Sequence, residues 1–572
     1  MMENFRQALV AGVERFTAWA DVLDRINVFP IADGDTGRNL VISLAPLRKR
    51  DRDIQLLSRD LLLSARGNSG NIASWFFQYF IQATSQENLP GVVRQGRDRA
   101  WQAVPDPRPG TMLSFFDALA TALSDHPHAL SGIDRIAGIL AHLEGVVRAT
   151  TDQQPKLSKA GVVDAGALGL FLYFEGFFHV LTDGRMPVCE VADTFHDRLH
   201  VSPSYREELE TGYCVDTVLQ SEADMKETAQ MLESLGNSIV ITRKDAYLKV
   251  HFHTRNRDDA RQKLVRLGRV IDWAEDDLYA QTSAFGASDR EPVIHIMTDA
   301  AGSVTRQEAK SFGVSLLDSY ITVGDHCLPE TYFSPHELYG AMHAGKRVTT
   351  SQASAFERHQ IYASVMSRYK QVLYVCVGSA YTGNFRVAME WKREHDPEDR
   401  FTVIDTGAAS GRLGVLALAT AAYALEAGEP GHVMAFARKA IARCEEYVFL
   451  DRLEYLAAGG RLSKTGAFFG DMLRMKPVVS PMAEGARKVG VVRNRDEQVR
   501  FALAVLGRSL RQEEQAFIML EYSDNKAWAE DVKSELAQRY KKARIIVHPL
   551  SLTAGAHMGP GAWAVAFLPE IV

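Results

Sequence analysis

Apolar side chains recur with helical spacing through residues 1–200. The segments FRQALVAGVERFTAWADVLDRI, SFFDALATALSD and IDRIAGILAHLEGVV place apolar residues three and four positions apart, and strict alternation is rare. Glycine and small polar residues interrupt this pattern at ADGDTGRN, SARGNSGN, RPGTM and VVDAGALG. The sequence therefore predicts a helical region with glycine-bearing turns between its helices.

The pattern changes in the rest of the chain. Between residues 205 and 285, YCVDTVLQ, SIVITRK and YLKVHFHTR are typical of short strands, and ADMKETAQMLESLG between the first two is typical of a helix. This order predicts a small α+β domain. From PVIHIMTDAAGSV onward, buried-type strands such as VLYVCVG and FTVID alternate with helices, which indicates α/β packing on a mixed or parallel sheet. The predicted fold class is therefore multidomain, α and α/β.

Length, charge and cysteine usage exclude several classes of protein. At 572 residues the chain is too long for one core, and usual domain sizes suggest about three or four units. A net charge of -6 gives no basic footprint, so we expect no nucleic-acid partner. Five scattered cysteines without a CxxC pair favour a reducing compartment. Without a signal-peptide pattern or an apolar run of roughly 20 residues, we expect a cytoplasmic protein with no stable membrane insertion.

Two carboxylates crowd together in the first glycine turn. Asp33 and Asp35 flank Gly34, with Asn27 upstream and Asn39 downstream. Carboxylates this close repel each other unless a cation lies between them. Mg²⁺ prefers oxygen ligands, usually one or two carboxylates together with phosphate oxygens. The four glycine-bearing turns suit helix N-termini that converge on an anion, although four ordinary interhelical turns would give the same pattern.

These turns also carry a family resemblance. In order, NVFPIADGDTGRNL, SARGNSGNI, PGTML and AGVVDAGALGL resemble the nucleotide-binding subunit of the dihydroxyacetone-kinase family, and within it the kinase domain of bacterial fatty acid kinases. The resemblance implies an all-α helical barrel with ATP at its mouth, in which Asp33 and Asp35 are catalytic and hold magnesium. It also implies Asn27 as a third magnesium ligand, Asn39, Ser69 and Gly70 at the phosphates, Thr111 and Met112 beside the base, and Asp164 near the phosphates. Arg38 replaces the family's small residue; it could contact a phosphate, but we expect it to point to solvent.

A second group of candidate ligands lies in the predicted α+β domain. His251 and His253 share one face of a strand because side chains alternate, and Cys214 comes from a neighbouring predicted strand. Two imidazoles and a thiolate suit Zn²⁺, but ordinary histidines and a buried structural cysteine would give the same pattern. GYCVDT followed by KVHFHT resembles the middle domain of fatty acid kinases. That resemblance implies a homodimer and a metal-binding Cys/His set, with zinc at these three residues.

Hydroxyl and cationic groups in the last region could bind a carboxylate. A carboxylate at the end of an apolar tunnel needs such partners, because burying it unpaired is very costly. The residues that offer these groups are Thr350, Ser351, Ser379, Arg461 and His557.

From residue 293 to the end the chain resembles the DegV family of fatty-acid-binding proteins. The motifs in family order are IMTDAAGSV, TTSQAS, VGSAYTGNF, VIDTGAASGRLG, DRLEYLAAGGRLS and AHMGPGAWAVAF. By resemblance, Ser379 and Thr350 bind the carboxylate, His557 hydrogen-bonds to it, and Arg461 orients it or meets the incoming phosphate as a catalytic residue. The family residues are replaced at Ala300, Ala353, Gly378 and Thr382, which implies altered surroundings of an intact carboxylate site.

Together the resemblances imply a kinase domain at 1–200, a middle domain at 205–285 and a fatty-acid-binding domain at 292–572. The expected function is ATP- and Mg²⁺-dependent phosphorylation of a fatty acid carboxylate, in a homodimer that also binds Zn²⁺. A separate DegV-type carrier and an acyltransferase that consumes acyl phosphate are further candidate partners. The alternatives are a kinase fold without activity, a non-catalytic lipid-binding or regulatory protein whose DegV-like domain is a docking scaffold, and a dihydroxyacetone-type sugar kinase.

Overall fold

The chain forms two compact units, Met1–Ala287 and Ser288–Val572. The computed structural model describes residues 2–49, 52–83, 87–124, 132–206, 211–284, 292–452, 454–458 and 476–571. Within these ranges, each helix is either too short or too polar to traverse a bilayer.

The first unit begins with the helical region that the spacing of apolar residues predicts. Its central helix, α10, is apolar on all sides and packs against α1, α2, α3, α7 and α8. The one carboxylate of α10, Glu175, lies 3.1 Å from the Arg15 guanidinium of α1, and both side chains are buried. A buried charge requires such a partner. The helices are α1 Met2–Thr17, α2 Ala20–Arg25, α3 Thr36–Leu44, α4 Ile54–Ser64, α5 Gly67–Phe80, α6 Leu89–Gln102, α7 Met112–Ser124, α8 Ile133–Gln153, α9 Pro155–Ala160, α10 Ala165–Leu181 and α11 Val191–Thr194.

An antiparallel sheet with the strand order β2-β3-β1-β4 completes the first unit. Its three predicted strands are present, and the edge strand β4 was not predicted. The sequence of β4, RVIDWAEDD, is largely exposed and ends in acidic residues, so it lacks the regular alternation of a half-buried strand. The elements are β1 Tyr213–Gln220, α12 Met225–Glu233, β2 Gly236–Lys244, β3 Tyr247–Thr254, α13 Arg257–Leu267, β4 Arg269–Asp277 and α14 Leu278–Ala284.

The two faces of this sheet are buried in different ways. Val215, Leu219, Val250 and Phe252 form an apolar core together with residues of α12 and α13. The opposite face is polar, and α5 of the helical region packs against β1, β2 and β3. The polar residues of this face are 5% exposed or less: Cys214, Asp216, Lys249, His251 and His253. Burying polar groups without partners is costly, so this face is a candidate binding site.

The second unit is an α/β structure, as the alternation of strands and helices predicts. Its elements are β5 His295–Asp299, α15 Arg306–Phe312, β6 Val314–Leu317, β7 Ser319–Val323, β8 His326–Pro329, α16 Pro335–His343, β9 Val348–Gln352, α17 Ala355–Arg368, β10 Val372–Cys376, α18 Asn384–His395, β11 Phe401–Asp405, α19 Ser410–Glu426, α20 Pro430–Arg443, β12 Glu445–Phe449, α21 Glu454–Ala458, β13 Lys476–Met482, β14 Gly485–Val492, α22 Arg495–Ser509, β15 Ala516–Tyr522, α23 Lys526–Arg539, β16 Arg544–Pro549, α24 Leu552–Met558 and β17 Trp563–Pro569.

Three sheets organise these elements. A parallel sheet has the order β11-β10-β5-β6, and a mixed sheet has the order β14-β13-β12-β17-β15-β16. A small antiparallel sheet joins β8, β7 and β9. The apolar helix α19 packs against strands of both larger sheets and so lies at the centre of the unit's core.

Candidate active site

The acidic turn lies between α2 and α3. Burial raises the pKa of Asp33 well above its usual range, and the neighbouring Asp35 carboxylate raises it further. Burial also raises the pKa of Asp35, while Arg38 and Asn39 partly oppose this effect. The Asn27 amide donates a hydrogen bond to Asp33 Oδ1. Because each carboxylate disfavours ionisation of the other, a divalent cation between them would relieve the repulsion.

Asp24, which the sequence analysis did not single out, fixes the start of α3. Its Oδ1 accepts hydrogen bonds from the backbone N–H groups of Gly37 and Arg38, at 2.7 and 3.1 Å. A β-carbon at Gly37 would lie 2.1 Å from the carbonyl oxygen of Ala20, so glycine is required for α3 to approach α2 this closely. An acidic residue within a helix is usually solvated, so the sequence gives no signal of this role.

The second glycine turn packs directly against the first. The Ser69 hydroxyl lies 3.3 Å from the Thr36 hydroxyl. Gly67 adopts a left-handed φ of 62°, and a β-carbon there would lie 2.1 Å from the Asn39 amide nitrogen. Asn39, Ser69 and Gly70 are thereby brought to adjoining turns, as predicted for phosphate-binding residues. The N-terminus of α5 offers backbone N–H groups suited to an anion.

The third glycine turn, at residues 108–112, contacts the fourth glycine turn, at residues 162–169. Asp164 accepts a hydrogen bond from the backbone N–H of Ala167 at 2.8 Å and caps α10. Burial raises the pKa of Asp164 to about 6, although backbone hydrogen bonds from Ala167, Met112 and Gly166 oppose the shift. The Thr111 hydroxyl donates to the carbonyl oxygen of Arg108 at 3.0 Å. The turns that carry Thr111, Met112 and Asp164 therefore form a second adjoining pair.

Arg38 faces a carboxylate as well as solvent. Its side chain is 41% exposed, and its guanidinium lies 3.6 Å from Asp276 of β4. Arg38 therefore reaches solvent, as expected, and also pairs with Asp276. The β4 strand that supplies its partner was absent from the predicted elements.

Cys214, His251 and His253 form a compact cluster. Cys214 pairs with His253 and Asp216 with His251 in the register of β1 and β3. The three potential ligand atoms lie within 4.8 Å of one another. Nε2 of His251 and Nδ1 of His253 are buried without a hydrogen-bond partner, and Nδ1 of His251 lies 3.3 Å from Asp216 Oδ2. Burial and the neighbouring His251 lower the pKa of His253 to about 3, which leaves the neutral imidazole that binds metals. These orphaned donor atoms fit a soft divalent cation such as Zn²⁺.

This cluster adjoins the acidic turn. Burial raises the pKa of the Cys214 thiol, and the charges of Asp216, Asp35 and Asp33 raise it further. His251 in turn lowers the pKa of Asp35. The acidic pair and the Cys/His cluster therefore lie close enough for their charges to act on each other.

Asp216 is a second residue that the sequence analysis missed. Burial raises its pKa, but His251 and Lys249 outweigh that effect and hold the pKa well below its usual range. Asp216 is therefore a buried carboxylate anion beside the Cys/His cluster. The sequence did hold a signal of this role. Asp216 lies two residues after Cys214 on a predicted strand, and such residues share one face.

In the second unit, Thr350 and His557 meet. Thr350 Oγ1 lies 3.2 Å from His557 Nε2. Ser351, next to Thr350 on β9, is exposed. Ser379 is also exposed, and its backbone N–H donates to Asp405 Oδ1 at 3.0 Å. Arg461 lies outside the described residues, so its predicted role stays a prediction.

Comparison with known families assigns most of the sequence. Residues 30–179 match the DAK2 domain. Residues 210–285 match the middle domain of fatty acid kinase-like proteins, and residues 293–570 match the DegV family of uncharacterised proteins. The chain joins a DAK2 domain, a fatty acid kinase-like middle domain and a DegV-family domain. This is a fatty acid kinase-like architecture fused to a DegV-family domain.

Curated relatives match part of the chain. Protein YloV of Bacillus subtilis is 26% identical over 352 residues, which are 55% of this chain and 64% of YloV. An uncharacterized protein of Staphylococcus haemolyticus is 26% identical over 276 residues, 44% of this chain and 50% of that protein. The matches therefore span half to somewhat under two thirds of the relatives' own length.

Two solved structures resemble part of this chain. One is the crystal structure of DegV, a fatty acid binding protein from Bacillus subtilis, with a TM-score of 0.45 and 18% identity over 49% of this chain and 100% of that chain. The other is a fatty-acid-binding DegV family protein from Thermus thermophilus. It has a TM-score of 0.45 and 21% identity over 49% of this chain and 100% of that chain.

Local packing accounts for one departure of the DegV-family domain from the family sequence. A β-carbon at Gly378 would lie 2.8 Å from backbone carbon atoms of Gly407, in the turn that follows β11. A serine at this position would force the two backbones apart. Glycine at position 378 therefore allows the two turns to approach each other closely, next to Ser379.

A buried carboxyl group supports the helix that carries His557. Glu330 is 4% exposed, and its Oε2 accepts a hydrogen bond from the backbone N–H of Thr553 at 3.0 Å. Burial raises the pKa of Glu330 to about 8, and the nearby Asp318 adds to the shift. The carboxyl is therefore mostly protonated at neutral pH and accepts the hydrogen bond without a buried charge.

Glu330 should make stability fall as the pH rises. A carboxyl with a raised folded-state pKa contributes stability that is complete below its unfolded pKa, about 4.3. That stability is lost as the pH rises through the folded pKa, by up to about 1.4 kcal/mol per pH unit. Glu330→Gln keeps the acceptor and cannot titrate, so its melting temperature should fall less than that of the wild type between about pH 5 and about pH 8. Glu426→Gln, at an exposed position, is the control. Parallel wild-type and Glu330→Gln curves would contradict the assignment.

The Cys/His cluster predicts bound zinc. Protein dialysed without chelator should contain about one zinc ion per chain by elemental analysis, because three buried donors converge on one point. His251→Ala/His253→Ala should lose it, whereas His196→Ala, at a side chain 78% exposed, should keep it. A folded wild type without metal would return the cluster to a purely structural role.

Proposed function

We propose that this chain uses ATP and Mg²⁺ to phosphorylate the carboxylate of a fatty acid, forming an acyl phosphate. The observation that carries the proposal is the pair of half-buried Asp33 and buried Asp35, which is followed by Thr36, 3.3 Å from Ser69 near the N-terminus of α5. Paired carboxylates suit Mg²⁺, and a helix N-terminus suits phosphate. The DAK2 and middle domains support a kinase. The resemblance to DegV proteins supports a fatty acid as the acceptor.

The acidic turn and its neighbours would bind the nucleotide. Asp33 and Asp35 would hold magnesium, with Asn27 beside them. Bound magnesium supplies positive charge that offsets the charge of the phosphates. The remaining assignments are Asn39, Ser69 and Gly70 at the phosphates, Thr111 and Met112 beside the base, and Asp164 near the phosphates.

The reaction requires positioning more than acid–base chemistry. An oxygen of the fatty acid carboxylate forms a bond to the terminal phosphorus of ATP as the bond to the leaving ADP oxygen breaks, and ADP retains that electron pair. The carboxylate is already ionised at neutral pH and needs no general base. The chain's own groups would therefore act by orienting the two anions and offsetting their charge.

The middle domain would contribute a zinc site and an interface. Bound Zn²⁺ would favour the thiolate form of Cys214 and join β1 to β3 through His251 and His253. A second copy of the chain would pack on the edge strand β4, near which Ile271 and Tyr279 are 45% and 52% exposed. These two assignments make the proposed kinase a zinc-containing homodimer.

The DegV-family domain would hold the acceptor. Thr350 and Ser379 would donate hydroxyl hydrogen bonds to the carboxylate, and His557 would add a further donor. Ser351 follows Thr350 on β9, so its side chain points to the opposite face of the strand. Arg461 would supply positive charge. The acyl chain would be buried in apolar surroundings, where each methylene contributes about 0.8 kcal/mol.

Removing one acidic ligand tests the kinase assignment. Asp33→Ala should reduce phosphate transfer to background, because one carboxylate alone is a weak magnesium site. The fatty acid content of the purified variant should be unchanged, since the proposed lipid residues lie in the other unit. Asp98→Ala, at a side chain 56% exposed, is the matched control. Near wild-type turnover by Asp33→Ala would refute the assignment.

Removing the carboxylate donors tests the single-chain reaction. Purified protein should carry fatty acid, detectable by mass spectrometry of the released lipid. Ser379→Ala/His557→Ala should lose acyl-phosphate formation because the acceptor is no longer held, and ATP binding should persist.

The control for that variant is a separate DegV-type protein loaded with fatty acid. If the double variant phosphorylates lipid from that carrier at the normal rate, the DegV-family domain is a docking scaffold. The single-chain reaction would then be wrong.

A further inference from the structure

Asp216 makes four contacts with two different elements. Its Oδ2 accepts a hydrogen bond from the backbone N–H of Gly67 at 2.9 Å, and its Oδ1 accepts one from the Asn71 amide at 3.0 Å. The same two oxygens lie 3.3 Å from His251 Nδ1 and 3.8 Å from Lys249 Nζ. One buried carboxylate therefore links the start of α5 to the polar face of β3.

The contacts to α5 determine the shape of the second glycine turn. Gly67 is the first residue of α5, and its N–H has no partner within the helix. Asp216 accepts from this N–H and so fixes the first residue of α5. Asn71 also donates to the carbonyl oxygen of Gly67 at 2.7 Å, so its amide joins Asp216 to both sides of the turn.

The contact to β3 determines which nitrogen of His251 is free. Nδ1 faces Asp216, which leaves Nε2 directed away from the carboxylate. A metal-binding histidine commonly presents one nitrogen to the metal and the other to a carboxylate, which fixes its tautomer and ring orientation. Lys249 supports the same arrangement, because its Nζ is fully buried without a hydrogen bond and has Asp216 as its nearby counter-charge.

We propose that Asp216 is a positioning residue that couples the phosphate-binding turn to the metal cluster. It holds Gly67 and Asn71 in the conformation that binds the nucleotide phosphates, and it orients His251 toward the metal. The proposal rests on the proposed function, because it assigns phosphate to the turn and zinc to the cluster. It also assigns the middle domain a direct part in nucleotide binding.

Asp216→Asn tests the effect of Asp216 on zinc binding and on nucleotide binding. The amide has one acceptor oxygen, so its NH₂ group must oppose either the Gly67 N–H or the Asn71 amide. We expect zinc affinity, measured by competition with a chromogenic chelator, to fall roughly 10- to 100-fold. We expect the dissociation constant for a fluorescent ATP analogue with Mg²⁺ to rise by about tenfold, which corresponds to about 1.4 kcal/mol. Asp216→Glu, which keeps the charge, should restore part of both affinities.

Asn71→Ala separates the effect on nucleotide binding from the effect on zinc binding. It also tests the proposal if Asp216→Asn fails to fold. It removes one of the two hydrogen bonds that Asp216 accepts from α5 and leaves the contact between Asp216 and His251. We expect weaker nucleotide binding with unchanged zinc affinity. The control is Asp258→Asn, which alters an exposed carboxylate on α13, at the opposite face of the sheet, and which should change neither affinity.

Two results would overturn the proposal. One is a folded Asp216→Asn protein with wild-type zinc and nucleotide affinities, even if its melting temperature is lower. The other is a folded Asn71→Ala protein that binds the nucleotide as the wild type does. Both affinities are measured without turnover, so a wild type that binds zinc and nucleotide but transfers no phosphate would refute the proposed function alone.

Discussion

Repulsion between the Asp33 and Asp35 carboxylates is the constraint on which the first unit depends. Burial and this repulsion raise the pKa of Asp33, and burial raises that of Asp35, so neither group is readily charged in the absence of a cation. The turn nevertheless keeps them together, because Asp24 holds the start of α3 and Gly37 lets that helix approach α2. A cation that binds between the two carboxylates would relieve this repulsion.

The sheet β2-β3-β1-β4 also holds a cluster of buried polar groups close together. An α+β domain of this size needs one apolar face, which α12 and α13 cover. The other face carries a thiol, two imidazoles, a carboxylate and an ammonium group, and it is buried against α5 all the same. Hydrogen bonds from Gly67 and Asn71 satisfy Asp216, but Nε2 of His251 and Nδ1 of His253 are buried without a hydrogen-bond partner. This selective lack of partners distinguishes a binding site from a polar interface that is merely satisfied.

Much of this arrangement could be predicted from periodicity and turn chemistry. The alternation in KVHFHT places His251 and His253 on one face, and the structure confirms that Cys214 lies opposite His253. Asp216 was missed because its role depends on α5, which is more than 130 residues earlier in the chain. The edge strand β4 was missed because its residues are largely exposed, and with it the partner of Arg38. The raised pKa of Glu330 comes from burial in the tertiary structure, which no local sequence pattern specifies.

The central claim is that this chain forms acyl phosphate by itself. The most direct measurement is to incubate the purified protein with ATP and Mg²⁺ in the presence of hydroxylamine, which converts acyl phosphates to stable hydroxamates. Mass spectrometry should then detect the hydroxamate of the fatty acid that co-purifies with the protein, dependent on ATP and without any added carrier. Bound fatty acid that yields no hydroxamate, with nucleotide bound and intact, would contradict the account.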